Sequence, residues 1–385
     1  MSAPMPGTPG SLRVLNDQAA VALLLEHGPM SRNELARASG LSKPTAAEML
    51  RRLEAAGLLR EAGERTGNRG PNATVHELTT DRFRSVAVDI EGRTVRSVVV
   101  DVAGPAFPVA LHIMTEAEVL APADEMLQAA VARACSAAGV DEDAIVAIGV
   151  GLQAAVDHAS DSLTFIEDMP GWPRHAVAAT LGERLGVPVL LENDANLAAV
   201  AERATGAGRE AGSFALLQLA DGVGLALDFG GVVHTGASGA AGEIGYLQAD
   251  GAEIGDLVSR GAVEDLQREH DVADPATVDA DHPFHRALAA RVGTALLPAL
   301  AVADPALVVL HGPTGIAGGA PLAAATARWL RDRTRWVAAV VPPQVVVAPV
   351  LEGVRHRLRA HVLSTMQAAV GRLDTPAPSR IEAQQ

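Results

Sequence analysis

Residues 192–196 read Glu192-Asn193-Asp194-Ala195-Asn196 and lie between an apolar run at 187–191 and a helix-like run at 197–203. This order predicts a strand that ends and a helix that begins, with Asp194 at the carboxyl end of the strand. In α/β sheets, that end is where ligands bind. A simpler interpretation stays open, because Asn and Asp also cap helices well.

The chain on both sides of this stretch alternates between strand-like and helix-like runs. Two halves with this alternation favour a two-lobed α/β protein with a cleft between the lobes. The predicted strands are 85–90, 95–102, 145–150, 187–191, 213–219, 223–228, 306–310 and 344–348, and the predicted helices are 123–138, 197–203, 284–303, 320–339 and 352–372.

The first 80 residues have a different pattern. Leu12, Leu15, Ala19, Ala22 and Leu23 follow the helical spacing up to Gly28-Pro29. Ser31 with Glu34 forms a capping-box pattern that opens a second helix, and Ser42 opens a third after the turn at Gly40. Strands at 58–62 and 73–78 follow. Two short helices and a strand pair predict a winged helix-turn-helix at 12–80, whose third helix enters the major groove of DNA. The residues of the third helix that we expect to face inward are Ala46, Met49, Leu50 and Leu53.

Basic and hydroxyl side chains in this module are the candidate DNA contacts. Ser42, Lys43 and Thr45 begin the third helix and are placed to meet base edges or phosphates, and Arg51 and Arg52 to meet phosphates. In the loop between the two strands, Arg69 is placed to reach the minor groove or the backbone. For each arginine alone, a solvated surface charge is the simpler interpretation.

Charge and composition limit the possible functions. The net charge is −15, yet residues 1–80 hold nine basic and eight acidic side chains, whereas 81–385 hold 22 basic and 38 acidic ones. Residues 31–72 hold eight basic and five acidic side chains, which suits phosphate contact by one face. A single cysteine, Cys135, excludes a disulfide framework. Without a signal-like start or a long apolar run, we expect a cytoplasmic protein that does not contact membranes.

Three features together resemble the ROK family of transcriptional repressors and sugar kinases. These are the winged helix, the segment 191–199 and the glycine-bearing segment 236–245, which reads Gly-Ala-Ser-Gly-Ala-Ala-Gly-Glu-Ile-Gly. The resemblance implies an actin/hexokinase-like, ribonuclease-H-like pair of lobes. We therefore predict a tail at 1–11, the winged helix at 12–80, a ROK domain at 81–373 and a tail at 374–385. Lobe 1 comprises 81–195 with the helix 352–372, and lobe 2 comprises 196–351.

The resemblance also assigns candidate ligand contacts. It implies that Asn193 binds a sugar hydroxyl and that Asp194 stands where the kinases have their catalytic base. Glu243 and Glu264 match glutamates that accept hydrogen bonds from the sugar. Tyr246 stands where the family has a histidine that contacts sugar and binds zinc.

Several family features are missing from the chain. The stretch 255–262 has no cysteine, so we expect no zinc and no cofactor. Glu91 and Asp221 replace small residues in the two phosphate loops, and His311 replaces a glycine on the adenosine side. We expect like-charge repulsion of a nucleotide from the two carboxylates.

These features favour a DNA-binding regulator, with Asp194 as the remnant of a catalytic base and no catalytic residue retained. The expected partners are operator DNA, a sugar-like effector and a second copy of the chain in a homodimer or higher homo-oligomer. Two alternatives stay open: an active sugar kinase with an added DNA-binding head, and a regulator that no longer senses a free sugar.

Overall fold

The protein is described by a computed structural model over residues 9–65, 73–103, 106–166, 169–249 and 251–372. Its strands form three sheets of three or more strands and two short strand pairs. The three-stranded sheet belongs to the amino-terminal module, and each five-stranded sheet is the centre of one half of the remaining chain. The predicted loop contact Arg69, residues 1–8 of the predicted tail 1–11, and the predicted tail 374–385 lie outside the described residues. Residues 9–11 belong to a helix rather than to a tail.

The amino-terminal module has the predicted order of three helices and a strand pair. Ser31 and Glu34 form the complete capping box, and Gly40 ends the second helix with φ of 70°. The side chain of Ser42 accepts a hydrogen bond from the Thr45 amide and starts the third helix. The elements are α1 (Pro9–His27), β1 (Met30–Ser31), α2 (Arg32–Ser39), α3 (Lys43–Ala55), β2 (Leu59–Arg65) and β3 (Ala73–Leu78), with the antiparallel strand order β1-β3-β2.

The first helix differs from the prediction in its start and in its buried face. It begins at Pro9, and its buried residues include Ala20, Val21 and Leu24. Leu12 and Leu15 are more than half exposed. Several of the apolar residues that were predicted to be buried therefore face solvent. The helix instead packs against α2 and α3 through the adjacent face, which contains Ala20, Val21 and Leu24. The inward residues of α3 are Ala46, Met49, Leu50 and Leu53, as predicted.

The first half of the remaining chain is built on a mixed sheet of order β10-β7-β4-β5-β6. Strands β4, β7 and β10 run parallel, so their carboxyl ends meet at one edge of the sheet. The elements are β4 (Arg84–Glu91), β5 (Thr94–Val100), β6 (Ala110–Ile113), α4 (Glu116–Leu120), α5 (Ala123–Ala138), β7 (Ile145–Leu152), β8 (Ala155–Asp157), β9 (Ser162–Thr164), α6 (Val177–Leu185), β10 (Val189–Asn193) and α7 (Asp194–Thr205).

The second half repeats this plan with the sheet order β13-β12-β11-β16-β17. Strands β11, β16 and β17 are parallel, and β12 and β13 are antiparallel additions. The elements are β11 (Ser213–Leu219), β12 (Val223–Phe229), β13 (Val232–Val233), β14 (Gln248–Ala249), β15 (Ala252–Glu253), α8 (Ile254–Val258), α9 (Arg260–Glu269), α10 (Pro283–Ala303), β16 (Leu307–His311), α11 (Gly312–Arg333), β17 (Ala339–Val341) and α12 (Pro349–Arg372).

Near the carboxyl end, one predicted helix has different bounds and one predicted strand is wrong. The predicted helix 320–339 is α11, which begins at Gly312, bends at Gly319 and ends at Arg333. The predicted strand 344–348 is a loop. Its valine run does not pair in the sheet, because the amides of Gln344 and Val345 donate to the buried carboxylate of Glu202. The actual edge strand is β17.

The long helices fill the cores of the two halves. In the described part of the chain, α10 is the one helix with the length and apolarity of a membrane span. Phe284, Leu288, Val292 and Leu296 of this helix are buried in the core of the second sheet, which is the packing of an internal helix. Helix α12 packs on β4, β7 and α7 of the first half.

Candidate functional site

A cleft of about 870 Å³ opens at the carboxyl ends of the parallel strands, as the alternation of elements predicts. It lies between the two halves, because its walls come from β4, β10 and α7 on one side and from β11, β12 and the following loops on the other. The predicted ligand residues that line it are Asn193, Asp194, Glu243 and Tyr246.

Asp194 begins α7 and connects the two sheets. Its Oδ2 accepts a hydrogen bond from Nε2 of Gln218 at 2.7 Å, and its Oδ1 lies 2.8 Å from the amide of Ala195. Burial raises the pKa of Asp194 to about 7, and the nearby carboxylates of Asp89 and Glu243 act in the same direction. The group therefore changes charge near neutral pH.

Asn193 has a structural role that the simpler interpretation anticipated. Its Oδ1 accepts from the amide of Asn196 and caps α7, and its Nδ2 donates to the carbonyl of Ala154 at 3.2 Å. These two bonds fix the amide plane at the cleft wall. Capping and ligand contact are compatible, because an amide group has further hydrogen-bonding capacity at both atoms.

Glu243 and Tyr246 come from the glycine-bearing loop that follows β13. Gly242 holds this loop against β12: its φ is 97°, and a Cβ there would lie 1.8 Å from the carbonyl oxygen of Leu225. Burial raises the pKa of Glu243. The ring of Tyr246 contacts that of Phe165 from the first half, with 5.1 Å between centroids and 48° between planes.

The amino-terminal module presents a second candidate surface at the start of α3. Lys43 and Thr45 are exposed there, together with the capping residue Ser42, and Arg51 is exposed about two turns further along α3. Ser42 is partly engaged, because its hydroxyl lies 2.8 Å from that of Thr45. The exposed side chains of Lys43 and Arg51 suit phosphate contact.

The prediction for Arg52 needs correction. Its guanidinium forms a bidentate ion pair with Asp17, with Nη2 to Oδ1 at 2.6 Å and Nε to Oδ2 at 3.2 Å. Asp17 is 3% exposed, and the pair fixes α1 against α3. A guanidinium held in this way serves packing within the module rather than phosphate contact.

Comparison with known proteins gives two matching families. Residues 86–270 match the ROK family, and residues 15–60 match the family described as winged helix-turn-helix DNA-binding. The protein carries a ROK family domain behind a winged helix-turn-helix. The cleft lies within this ROK domain.

The solved structures and curated relatives that resemble the chain include transcriptional regulators and sugar kinases. A ROK family transcriptional regulator, a homologue of the E. coli MLC protein, is 18% identical over 94% of this chain and 99% of that chain, with a TM-score of 0.68. The xylose repressor of Bacillus subtilis is 20% identical over 62% of both proteins. The glucokinase of Streptomyces coelicolor is 29% identical over 43% of this chain and 49% of the enzyme. The chain thus spans less than two thirds of these curated relatives.

The structure does not bring Glu264 to the cleft of the ROK domain. Glu264 lies on α9, which buries Val263 and Leu266 and turns the glutamate outward. It lines a separate cavity of about 210 Å³. The ligand contact predicted for Glu264 is therefore not part of the geometry of this site.

The substituted phosphate loops are less repulsive than the sequence suggests. Glu91 is paired with Arg96 at 3.0 Å, and Asp221 is paired with Arg260 at 2.6 Å. The Glu91 side chain does not line the cleft, whereas Asp221 does. Each carboxylate is therefore partly compensated, and the expected repulsion from Glu91 is weaker than predicted.

Two further departures from the family pattern concern His311 and the stretch 255–262. His311 ends β16, is 2% exposed and does not line the cleft, and burial lowers its pKa. The stretch 255–262 is folded into α8 and the start of α9. In the described residues, no group of three His, Cys, Asp or Glu side chains is arranged to hold a metal ion.

Sequence reasoning missed several residues of the cleft region. Gln218 and Phe165 line the cleft, and Arg357 pairs with Glu192 next to it. None of the three carries a motif, because only the packing of distant elements brings them there. Asp89 lies at the carboxyl end of β4 and belongs to a family motif that could have identified it. Burial raises the pKa of Asp89 to about 6 against the opposing effect of Arg96.

Proposed function

We propose that the protein is a DNA-binding transcriptional repressor whose ROK domain senses a small sugar-like ligand and no longer phosphorylates it. The observation that carries this proposal is the exposed amino-terminal end of α3 on a capped and well-packed winged helix. A recognition helix of this kind reads base edges from its first residues. The resemblance to a ROK regulator over 94% of this chain supports the same function.

The proposed DNA contacts are the exposed residues of this surface. Ser42, Lys43 and Thr45 meet base edges or phosphates, and Arg51 meets a phosphate. Helix-turn-helix proteins read two half-sites as symmetric dimers, so we expect a homodimer or higher homo-oligomer on the operator. The named function of the xylose repressor supports a sugar-related effector.

The proposed effector site is the cleft, with Asn193, Asp194, Glu243 and Tyr246 as contacts. Its carboxylates and amide match the hydroxyl groups of a sugar, because charge-assisted hydrogen bonds are about twice as strong as neutral ones. Loss of phosphoryl transfer is supported by the substitutions around the phosphate loops, of which Asp221 lines the cleft. Asp194 then acts as a hydroxyl acceptor.

Helix α12 provides a contact route from the cleft to the winged helix. Arg357 on α12 forms an ion pair with Glu192, which directly precedes Asn193. Burial tends to raise the pKa of Glu192, but His158 and Arg357 outweigh it and hold the pKa below its ordinary value. About one and a half and two and a half turns further along, Val362 and Met366 are buried in the core of the winged helix. A ligand that moves the start of α7 can therefore act on the DNA-binding module through α12.

The test of the proposal is selection from a random duplex library followed by sequencing of the bound DNA. The full-length protein is expected to enrich one sequence, and the Lys43→Ala/Arg51→Ala double variant is expected to lose that enrichment. Repeating the capture with sugars tests the effector site. Recovery of no preferred sequence by the wild-type protein contradicts the proposal.

A sugar kinase with an added DNA-binding head is the second candidate, and the pKa of Asp194 favours it. A general base works best when its pKa is near the working pH, and that of Asp194 is about 7. An assay of ATP turnover over a panel of hexoses decides between the two functions. Phosphoryl transfer that Asp194→Asn abolishes would establish the kinase.

A further inference from the structure

The cleft carries more acidic than basic side chains. Of the described residues that line it, four are acidic and Arg93 is the one basic residue. The Nε of Arg93 donates to the carbonyl of Met114 at 2.8 Å, which leaves only the end of this exposed guanidinium for a ligand. The acidic residues are Glu116, Asp194, Asp221 and Glu243.

Three of these carboxylates form no ion pair in the described parts of the chain. Glu116 is exposed to solvent, whereas Asp194 and Glu243 are partly buried. The fourth, Asp221, is paired with Arg260. Asp194 and Glu243 line the same cleft, and the charge of Glu243 contributes to raising the pKa of Asp194. Like charges held together in a half-buried site favour a ligand that brings positive charge.

An aromatic pair stands at the same cleft. Phe165 follows β9, and its backbone has a φ of 50°, a conformation that is strained for a bulky residue. Its ring contacts Tyr246 from the opposite half, and both side chains are 45% exposed and line the cleft. Aromatic faces beside carboxylates are the arrangement by which proteins recognise ammonium groups.

From these observations we propose that the cleft selects an amine-bearing sugar, with its ammonium group between the carboxylates of Asp194 and Glu243 and the rings of Phe165 and Tyr246. This inference rests on the proposed function, in which the cleft binds a sugar-like ligand. In such a ligand the ammonium group takes the place of one of the hydroxyl groups that Asp194 and Glu243 would accept from, and other hydroxyl groups contact Asn193 and Gln218.

Other charged ligands fit the cleft less well. A phosphorylated sugar would bring negative charge to the four acidic residues, and Arg93 is the one basic side chain among the described lining residues that could neutralise it. A divalent metal needs several oxygen ligands at fixed geometry, and in the described residues no group of three suitable side chains is so arranged. An ammonium group requires fewer protein groups than a divalent metal, because one or two carboxylates and an aromatic face are enough to bind it.

The test is titration calorimetry on the full-length protein with four matched probes: glucose, glucosamine, N-acetylglucosamine and glucose 6-phosphate. We expect glucosamine to bind at least about tenfold more tightly than glucose. N-acetylation removes the charge and should cancel this preference, and the phosphate should bind most weakly.

The variant Glu243→Gln removes one charge with little change in shape. The ratio of glucosamine to glucose affinity is expected to fall by about tenfold in this variant. Glu183→Gln is the matched control, because it makes the same charge change at an exposed residue outside the cleft. Equal melting temperatures of the three proteins without ligand exclude a folding defect.

Several outcomes would overturn the inference. Equal affinity of the wild-type protein for glucose and glucosamine, tighter binding of glucose 6-phosphate, or an unchanged ratio in Glu243→Gln each contradicts the proposed ammonium site. If glucose binds and changes DNA affinity but glucosamine gains nothing, only the ligand class is wrong. If none of the four binds, this inference and sugar sensing fall together, while selective DNA capture leaves the DNA-binding function intact.

Discussion

The winged helix and the cleft of the ROK domain are assembled over different distances along the chain. In the winged helix, Ser31 meets Glu34 three residues away. In the cleft, Asp194 meets Gln218 across 24 residues, and behind the cleft wall Glu192 meets Arg357 across 165. Local interactions can be recognised from spacing, whereas distant ones require the fold. The ion pair of Arg52 and Asp17 is an exception, because it is a long-range contact within the winged helix and spans 35 residues.

The largest expected effect concerns that ion pair. Arg52→Ala should lower the free energy of unfolding by about 3–5 kcal/mol, because it removes the guanidinium that forms a bidentate ion pair with the buried carboxylate of Asp17. Urea unfolding, followed by a probe of the winged helix, measures the change.

Arg51→Ala provides the matched control, since Arg51 is the neighbouring and exposed arginine. We expect its stability to stay within about 0.5 kcal/mol of the wild-type value. The slope of the logarithm of its DNA affinity against the logarithm of salt concentration should become shallower by about one unit, because one phosphate contact is lost. If the two variants are equally stable, Arg52 does not stabilise the module, and the prediction that it contacts a DNA phosphate is favoured again.

The next effect concerns Asp194 and depends on pH. Its folded pKa of about 7 lies above the ordinary 3.8, so the folded protein binds the proton more tightly. The stability that this group contributes is complete at low pH and is lost as the pH rises through 7. Asp194→Asn lacks this titration. Its stability relative to the wild-type protein should therefore rise by a few kcal/mol between about pH 4 and pH 8.

Melting curves of both proteins across that range measure the difference. Asp89, with a pKa raised to about 6, remains in both proteins and largely cancels in the comparison. A difference between variant and wild type that stays constant with pH would show that Asp194 does not titrate in this interval.

A smaller effect tests the local signals of the winged helix. Ser42→Ala removes the side chain that caps α3 and should cost about 1 kcal/mol. Ser42→Asn should restore most of this stability, because asparagine caps equally well. If both variants lose the same stability, the hydroxyl acts through another contact, such as the one with Thr45.

The smallest effect concerns Glu264, which the family resemblance assigns to the ligand site and which lies outside the cleft in the structure. Glu264→Gln lies on the exposed face of α9, so its stability should change by less than about 0.5 kcal/mol. Its affinity for any ligand of the cleft should equal that of the wild-type protein. Weaker ligand binding, measured by calorimetry, would bring Glu264 back into the site.

Much of the fold was readable from periodicity and from helix caps. Ser31, Ser42 and Gly40 fix the ends of helices through local hydrogen bonds and backbone conformation, and the alternation of strands and helices indicates the two sheets. The strand predicted at 344–348 was wrong, because valine-rich sequence favours a strand only where a neighbouring strand is open to it. Here the buried Glu202 binds the amides instead.

The site was predictable in part. Asp194, Asn193, Glu243 and Tyr246 lie in motifs, and the structure brings them to one cleft. Phe165 and Gln218 have no such signal, since their importance arises from elements that meet only after folding. Exposure of Arg52 could not be judged from the sequence either, because its partner Asp17 belongs to another helix.

The most direct test of the central claim is fluorescence anisotropy of the selected duplex, titrated with the full-length protein in the presence and absence of a bound sugar. We predict that the wild-type protein binds the duplex specifically and that the sugar changes its affinity. Asp194→Asn should keep the specific binding and lose the response. DNA affinity that no sugar alters, together with ATP-dependent phosphorylation that requires Asp194, would contradict the account.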